Sequence, residues 1–297
     1  LLAWPLAEFG WVMTLYQRGA VSMKRIAEYM ARSPDIRDTD NTDHTITSVN
    51  GAIAFEDVSL AYDGRAALKN VSFNVEAGQT IAIVGATGSG KTSIVSLLTR
   101  EYDPSEGTVR IDGKNARALP LQTLRASIAY VPQDTFLFSD SIRANLTFGR
   151  PDAGPSAIDH AADVAQLTET IDSFPDRYET LLGERGVNLS GGQKQRLAIA
   201  RAVVLDAPIL VLDDALSSVD THTEEQILDR LVNVMAQRTS IVISHRVSTV
   251  RHADQILVLD DGEIVERGTH DELIALGGHY AEMHERQLLE DELETTA

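Results

Sequence analysis

Hydrophobic and polar positions follow three different rhythms along the chain. Residues 1–15 are almost continuously apolar, with Glu8 the single charge and Trp4 and Trp11 among the large side chains, and the basic residues Arg18, Lys24, Arg25 and Arg32 follow. The run is shorter than the roughly 20 residues of a full membrane span. Its pattern predicts the second half of a transmembrane helix whose beginning lies upstream, with the basic flank on the cytoplasmic side. A signal peptide would place its charges before the apolar run, and a buried helix of a water-soluble domain would show a polar face that residues 1–15 lack. Because the chain opens on Leu1, it is expected to be a piece of a longer protein.

Residues 34–50 are polar and without period, and Asp35, Asp38, Asp40 and Asp43 make them read as an exposed linker. From Gly51 the rhythm becomes that of strands: 52–62, 71–75, 79–84 and 108–111 predict an antiparallel edge leading into a largely parallel sheet, and 128–131 adds a strand ending at Pro132-Gln133. Between Phe136 and Arg185 helical patterns take over, at 156–165 and 167–173 among others. Strand rhythm returns at 209–212 and 240–243, after an amphipathic helix that runs to about Leu205. The expected class is α/β: a mainly parallel central sheet, an antiparallel β subdomain and a helical insertion at about 134–190. The expected divisions are 1–33, a linker at 34–50, a domain at 51–287 and an acidic tail at 288–297.

Composition narrows the chemistry. In 297 residues, 44 acidic against 26 basic side chains give a formal charge of −18, which argues against nucleic acid as a partner, since phosphate-backbone binding needs clustered cations. The absence of cysteine excludes disulfides, thiolate catalysis and cysteine-based zinc sites.

Candidate chemistry concentrates at Gly85, Ala86, Thr87, Gly88, Ser89, Gly90, Lys91 and Thr92, with Ser93 continuing into a helix. This is the template of Gly, four residues, Gly-Lys-Thr between a strand and a helix. Glycines let the backbone approach an anion, successive N–H groups form a concave nest, and the helix N-terminus adds positive potential. Lys91 is expected on the β- and γ-phosphates of a nucleotide and the Thr92 hydroxyl on Mg²⁺. Leu189-Ser190-Gly191-Gly192-Gln193 opens another helix, with Ser190 a good N-cap and the glycines exposing backbone N–H groups as a second anion site; taken alone, it reads first as an ordinary capped helix. The apolar strand at 209–212 ends in Asp213-Asp214, where α/β sheets bind ligands. Asp213 is expected to hold the metal and Asp214 to orient or deprotonate an attacking water. The strand at 240–243 delivers Ser244-His245 to the same edge, and a lone histidine at a strand end is more often structural than catalytic.

The order and approximate spacing of Tyr62, the Gly85 to Thr92 loop, Gln133, Leu189 to Gln193, Asp213, Ser217 to Asp220 and His245 resemble the ATP-binding cassette (ABC) family, over about 51–287. Residues 1–26 also look like the end of the last membrane helix of an exporter whose membrane and nucleotide domains share one chain. The resemblance implies ATP and Mg²⁺ as ligands, Tyr62 stacked on adenine, Gln133 sensing both Mg²⁺ and the membrane domain, Asp220 in a loop coupling two nucleotide sites, and His245 at the γ-phosphate. For Tyr62, plain sheet packing stays open. Glu184 matches the exporter loop that touches the partner's cytoplasmic helices.

Head-to-tail pairing of two nucleotide domains, as in that family, would place each ATP between one Gly85-type loop and the other domain's Ser190-type motif. The implied partners are a second exporter half, the membrane domain, and lipid at the N-terminal helix; the implied place is the cytoplasmic side of the cell membrane. One departure stands out: the family's usual residue after the first acidic residue of this strand is Glu, and here it is Asp214. With Ser190 to Gln193 intact, this resembles the hydrolysis-impaired half of a heterodimeric multidrug exporter. A nucleotide-gated dimer clamp with little turnover, a homodimeric exporter half and a soluble ABC protein of the DNA-repair or translation type are the other readings; residues 1–15 and the acidic charge count against the last.

Overall fold

The computed structural model describes residues 3–296, so Leu1, Leu2 and Ala297, which the N-terminal and C-terminal expectations include, lie outside the described residues. The chain divides into two compact units, one ending at Arg37 and one starting at Asp38. The first is built on a single helix, α1 (Ala3–Met30), in which the apolar run and Arg18, Lys24 and Arg25 belong to one continuous element. Trp4, Phe9 and Trp11 on it are 65–74% exposed. Among the described residues no helix is long and apolar enough to cross a membrane.

The second unit holds two sheets. The strands are β1 (Ile53–Tyr62), β2 (Arg65–Val75), β3 (Thr80–Val84), β4 (Glu106–Ile111), β5 (Lys114–Asn115), β6 (Ile128–Val131), β7 (Ile209–Asp213), β8 (Thr239–Ile243), β9 (Gln255–Asp260) and β10 (Glu263–Gly268). The helices are α2 (Lys91–Leu98), α3 (Leu121–Ala126), α4 (Ile142–Leu146), α5 (Pro155–Val164), α6 (Thr168–Asp172), α7 (Gly191–Leu205), α8 (Thr221–Met235), α9 (Val247–Val250), α10 (His270–Leu276) and α11 (His279–Thr296). An antiparallel sheet runs β2-β1-β4-β5 and a six-stranded sheet runs β10-β9-β3-β8-β7-β6, parallel except for β10.

Alternation along the central strands assigns their two faces. On β3, Ile81 and Ile83 enter the core shared with the antiparallel sheet and α2, while Ala82 and Val84 enter the core shared with α5, α7 and α8. Strands buried on both faces carry no polar rhythm, which is why 209–212 reads as an uninterrupted apolar run. Strand β2 begins six residues before the expected 71, because bulges between Ala66 and Val71 on β2, with another between Phe55 and Val58 on β1, break the alternation that would reveal the pairing. The hairpin of β9 and β10 likewise escapes the sequence pattern. Its outer strand alternates exposed and half-buried residues and carries two glutamates.

The stretch expected to be an exposed linker is mostly exposed but fastened. Asp38 accepts the Leu121 N–H at 2.9 Å, the Asp43 N–H reaches the Ala118 carbonyl at 2.8 Å, and Ile46 is buried. Phe55 and Phe73 stack with ring centroids 4.6 Å apart at the centre of the core between the sheets. Phe55→Ala should therefore lower the unfolding free energy by about 3–5 kcal/mol in urea denaturation; a loss under about 1 kcal/mol would mean that this pair does not anchor the β subdomain.

Candidate functional site

Four parallel strands, β3, β6, β7 and β8, deliver the candidate residues to one edge of the central sheet. Strand β3 ends at Val84 and the chain turns through Gly85 to Gly90 into α2. Gly85 and Gly90 adopt φ of 150° and 104°, and a Cβ on them would lie 2.1 Å from the Leu259 carbonyl oxygen and 2.5 Å from the Ala67 carbonyl oxygen. Backbone rather than a movable side chain occupies both places, so only glycine fits. Ala86, Thr87 and Gly88 are exposed at the rim of the loop, whereas Ser89 is buried and its hydroxyl has no partner among the described residues.

Lys91 opens α2 with 6% of its surface exposed, and its Nζ donates to the carbonyl oxygens of Gly85 and Ala86, both at 2.9 Å. Burial lowers its pKa, opposed by the nearby Asp214 and Asp213 carboxylates. The Thr92 hydroxyl donates to Asp213 Oδ2 at 3.1 Å, and the Tyr130 hydroxyl reaches the same oxygen at 3.3 Å. Burial pushes the Asp213 carboxyl up, partly offset by the Thr92 hydrogen bond. Its other oxygen, Oδ1, is buried with no partner among the described residues. An orphaned carboxylate oxygen beside a threonine hydroxyl is a hard-oxygen donor pair suited to Mg²⁺, so the residues present fit that ion.

Asp214 takes a left-handed backbone conformation with φ of 46°, fixed by its N–H on the Ile243 carbonyl at 2.9 Å. Its Oδ2 lies 3.2 Å from Nε2 of His245, at the end of β8. Gln133, exposed beyond the end of β6, lines with Asp214, Ser244 and His245 a cavity of about 130 Å³. Lys91, Thr92, Gln133, Asp213, Asp214 and His245 thus converge, although up to 154 residues separate them in sequence (245 − 91).

Tyr62 stands at the side of the loop, half-buried, its hydroxyl 3.3 Å from the Ser93 hydroxyl and its ring edge-on to Tyr102 at 5.0 Å between centroids. Tyr62 thus packs against Tyr102 beside the start of α2. Ser190 caps α7 in a capping box: its hydroxyl accepts the Gln193 N–H at 3.2 Å, and Gln193 Oε1 accepts the Ser190 N–H at 2.9 Å. Gly191 is exposed and Gly192 half-buried, and among the described residues no hydrogen bond joins this helix end to the Gly85 loop. Asp220 caps α8 by accepting the Thr223 N–H at 2.9 Å, which holds its carboxyl below the usual range. Glu184 is exposed at the start of a single 3₁₀ turn.

Two contributors went unread in the sequence. Tyr130 sits in a four-residue apolar strand where nothing marks its hydroxyl as special. Gln195 does carry a signal, a polar residue on the helical face that also holds Ile199 and Ala202.

Comparison with known proteins agrees with this geometry. A family model described as ABC transporter matches residues 68–217, half of the chain. The Bacillus subtilis "Uncharacterized ABC transporter ATP-binding protein YknU" is 44% identical over 288 residues, covering 96% of this chain and 49% of that protein. "ATP-binding cassette sub-family B member 6" of Homo sapiens is 43% identical over 289 residues, covering 97% of this chain and 34% of that protein. A solved structure of a bacterial Atm1-family ABC exporter with ATP bound superposes with a TM-score of 0.86 at 41% identity, covering 91% of this chain and 47% of the other. The chain thus spans half or less of the length of these relatives. The mixed sheet with its antiparallel β subdomain is the ABC ATPase fold, and the chain belongs to the ABC transporter family, of which it carries an ATP-binding domain of the exporter type.

Proposed function

We propose that this chain binds Mg·ATP at the Gly85 to Ser93 loop and serves as the nucleotide-driven half of a membrane exporter. The observation that carries the reading is the convergence of a buried lysine, a threonine hydroxyl on a buried carboxylate, and a second carboxylate paired with a histidine at one sheet edge. Lys91 would leave the loop carbonyls for the β- and γ-phosphates, gaining a charged partner for a charge that is already desolvated. Thr92 and Asp213, with Gln133 nearby, would hold the metal, which when bound supplies neutralisation of phosphate charge. His245 would contact the γ-phosphate, and Tyr62 would offer its ring to the adenine. The Ser190 end of α7, free of any bond to the Gly85 loop, suits contact with a nucleotide held by a second domain, completing a site between the two.

Asp214 sets the catalytic rank of this site. Relative to glutamate it is shorter by one carbon–carbon bond, roughly 1.5 Å, and its carboxylate is already directed at His245. Water activation by a positioned base contributes a factor of about 10² to 10⁴, so this chain's own site should turn over slowly while its Ser190 motif serves a competent partner. That arrangement is a heterodimer of exporter halves, one hydrolysing and one holding ATP. The cytoplasmic face of a membrane is the expected setting, and hydrophobic compounds such as drugs or lipids the expected cargo class. A clamp that dimerises around ATP with little turnover is the second reading, favoured by the Asp214–His245 contact.

Three measurements test the site. Lys91→Ala should weaken ATP binding at least tenfold in calorimetry with the thermal midpoint preserved; equal affinities would refute the loop assignment. Folding raises the Asp213 pKa, so this carboxyl favours the native state at low pH, and that contribution is lost as pH rises through the folded value. Asp213→Asn should accordingly raise the midpoint of the nucleotide-free protein at pH 7.5 while abolishing the Mg²⁺ dependence of ATP binding; a lowered midpoint with Mg²⁺ dependence intact would count against the metal role. In the assembled transporter Asp214→Ala should cost under threefold in phosphate release, and Asp214→Glu should raise it. A loss of a hundredfold or more on Asp214→Ala would mean that this site is itself a main catalyst.

A further inference from the structure

Helix α7 shows the core an apolar face with one exception. Of its eight buried residues seven are apolar, and the eighth is Gln195, 5% exposed. A primary amide in such surroundings is costly unless its donors and acceptor are taken. One loop takes both ends: Nε2 donates to the Ser217 hydroxyl at 2.8 Å, and Oε1 accepts the Ser218 N–H at 2.8 Å. Leucine or methionine would fill nearly the same volume without needing partners, so packing alone does not account for an amide here.

What the amide grips is the short connection from Asp214 to the cap of α8. At its near end the Ser217 N–H donates to the Asp214 carbonyl at 3.2 Å, and at its far end Asp220 caps the helix. The same connection lies tight against the start of α7, since a Cβ on Gly192 would fall 2.8 Å from the Ser218 carbonyl oxygen. Ser217 and Ser218 are themselves exposed, so burial of their own side chains contributes little to holding them. Gln195, on the second turn of α7, is five residues from Ser190 and fastens the helix that carries Ser190 to the segment that carries Asp214.

We infer that Gln195 is a positioning residue that links the two phosphate-facing ends of this chain: a displacement of the Ser190 end of α7 is delivered through Ser217 and Ser218 to Asp214. This rests on the reading of Ser190 to Gln193 as the contact for a nucleotide held by a second domain. Through the amide, engagement of that nucleotide and the setting of this chain's own carboxylate become one event. Gln195 touches neither nucleotide itself.

The test uses the full-length transporter in its assembled form. Gln195→Met removes both hydrogen bonds at near-constant volume, Ser217→Ala removes one from the exposed side, and Gln195→Glu keeps an acceptor for the Ser218 N–H and for the Ser217 hydroxyl. With both hydrogen bonds lost, Gln195→Met should lower kcat for ATP about tenfold, because the Ser190 end of α7, released from the Ser217–Ser218 segment, no longer completes the partner's competent site in register, with KM and the thermal midpoint nearly unchanged, and the Ser218 amide should exchange with solvent about tenfold faster. Adding Ser217→Ala to Gln195→Met should cause no further loss, and Gln195→Glu should recover most of the activity. A native kcat in Gln195→Met, or losses that multiply in the double variant, would overturn the link. If Gln195→Met does not fold, Ser217→Ala decides: about a threefold lower kcat supports the link, and an unchanged kcat overturns it. A transporter with no ATP turnover at all defeats the functional reading instead, and the link is then judged by Ser218 amide exchange alone, faster exchange supporting it and unchanged exchange overturning it.

Discussion

Lys91 holds a positive charge where water barely reaches, and the arrangement of the site follows from that constraint. A desolvated ammonium needs oxygen partners, and the Gly85 and Ala86 carbonyls supply them only because the loop curls back over the start of α2. The curl in turn needs glycine at 85 and 90, where neighbouring backbone leaves no room for a Cβ. Asp213 and Asp214 add negative potential from the end of β7, on the far side of β8, and among the described residues neither captures the lysine in a close ion pair. A phosphate group entering the loop can therefore replace weak carbonyl partners with strong anionic ones. The cation is stored, not spent.

The parallel sheet makes this economy of placement possible. Strands β3, β7 and β8 are neighbours in register, with Ile83 opposite Ile243 and Asp213 opposite Ile243. Their C-terminal ends thus bring the Gly85 loop, the two aspartates and His245 to one place, whatever their separation in sequence. Asp214, in a left-handed backbone conformation and bonded to the Ile243 carbonyl, belongs as much to β8 as to its own strand. Its side chain, carried on this anchored backbone, meets His245 at 3.2 Å.

Much of this was legible in the chain because the decisive residues are tied to backbone geometry. The Gly-rich loop, the apolar strand ending in two aspartates and the capped start of α7 each leave a local signature, and each element falls where its pattern places it. What stayed hidden depends on contacts between distant segments. The early start of β2 is masked by bulges, and the hairpin of β9 and β10 by an outer strand that faces solvent. Tyr130 gains its role only because β6 lies beside β7, which no local rhythm announces. The fastening of residues 38–46 onto the domain is equally a matter of distant partners, Ala118, Leu121 and Thr123. Gln195 is the intermediate case, a polar residue out of place on an apolar face.

The central claim is that the Gly85 loop and the Ser190 helix end of one chain serve different nucleotides. It is tested most directly by photolabelling with an ATP analogue carrying an aryl azide on the γ-phosphate, followed by peptide mapping. In the dilute isolated chain, label should appear in peptides around Gly85 to Ser93 and be absent from the peptide containing Ser190 to Gln193. In the assembled transporter the Ser190 peptide should become labelled as well. Labelling of the Ser190 peptide in the isolated chain would contradict the account, because both ends would then serve a single nucleotide within one chain.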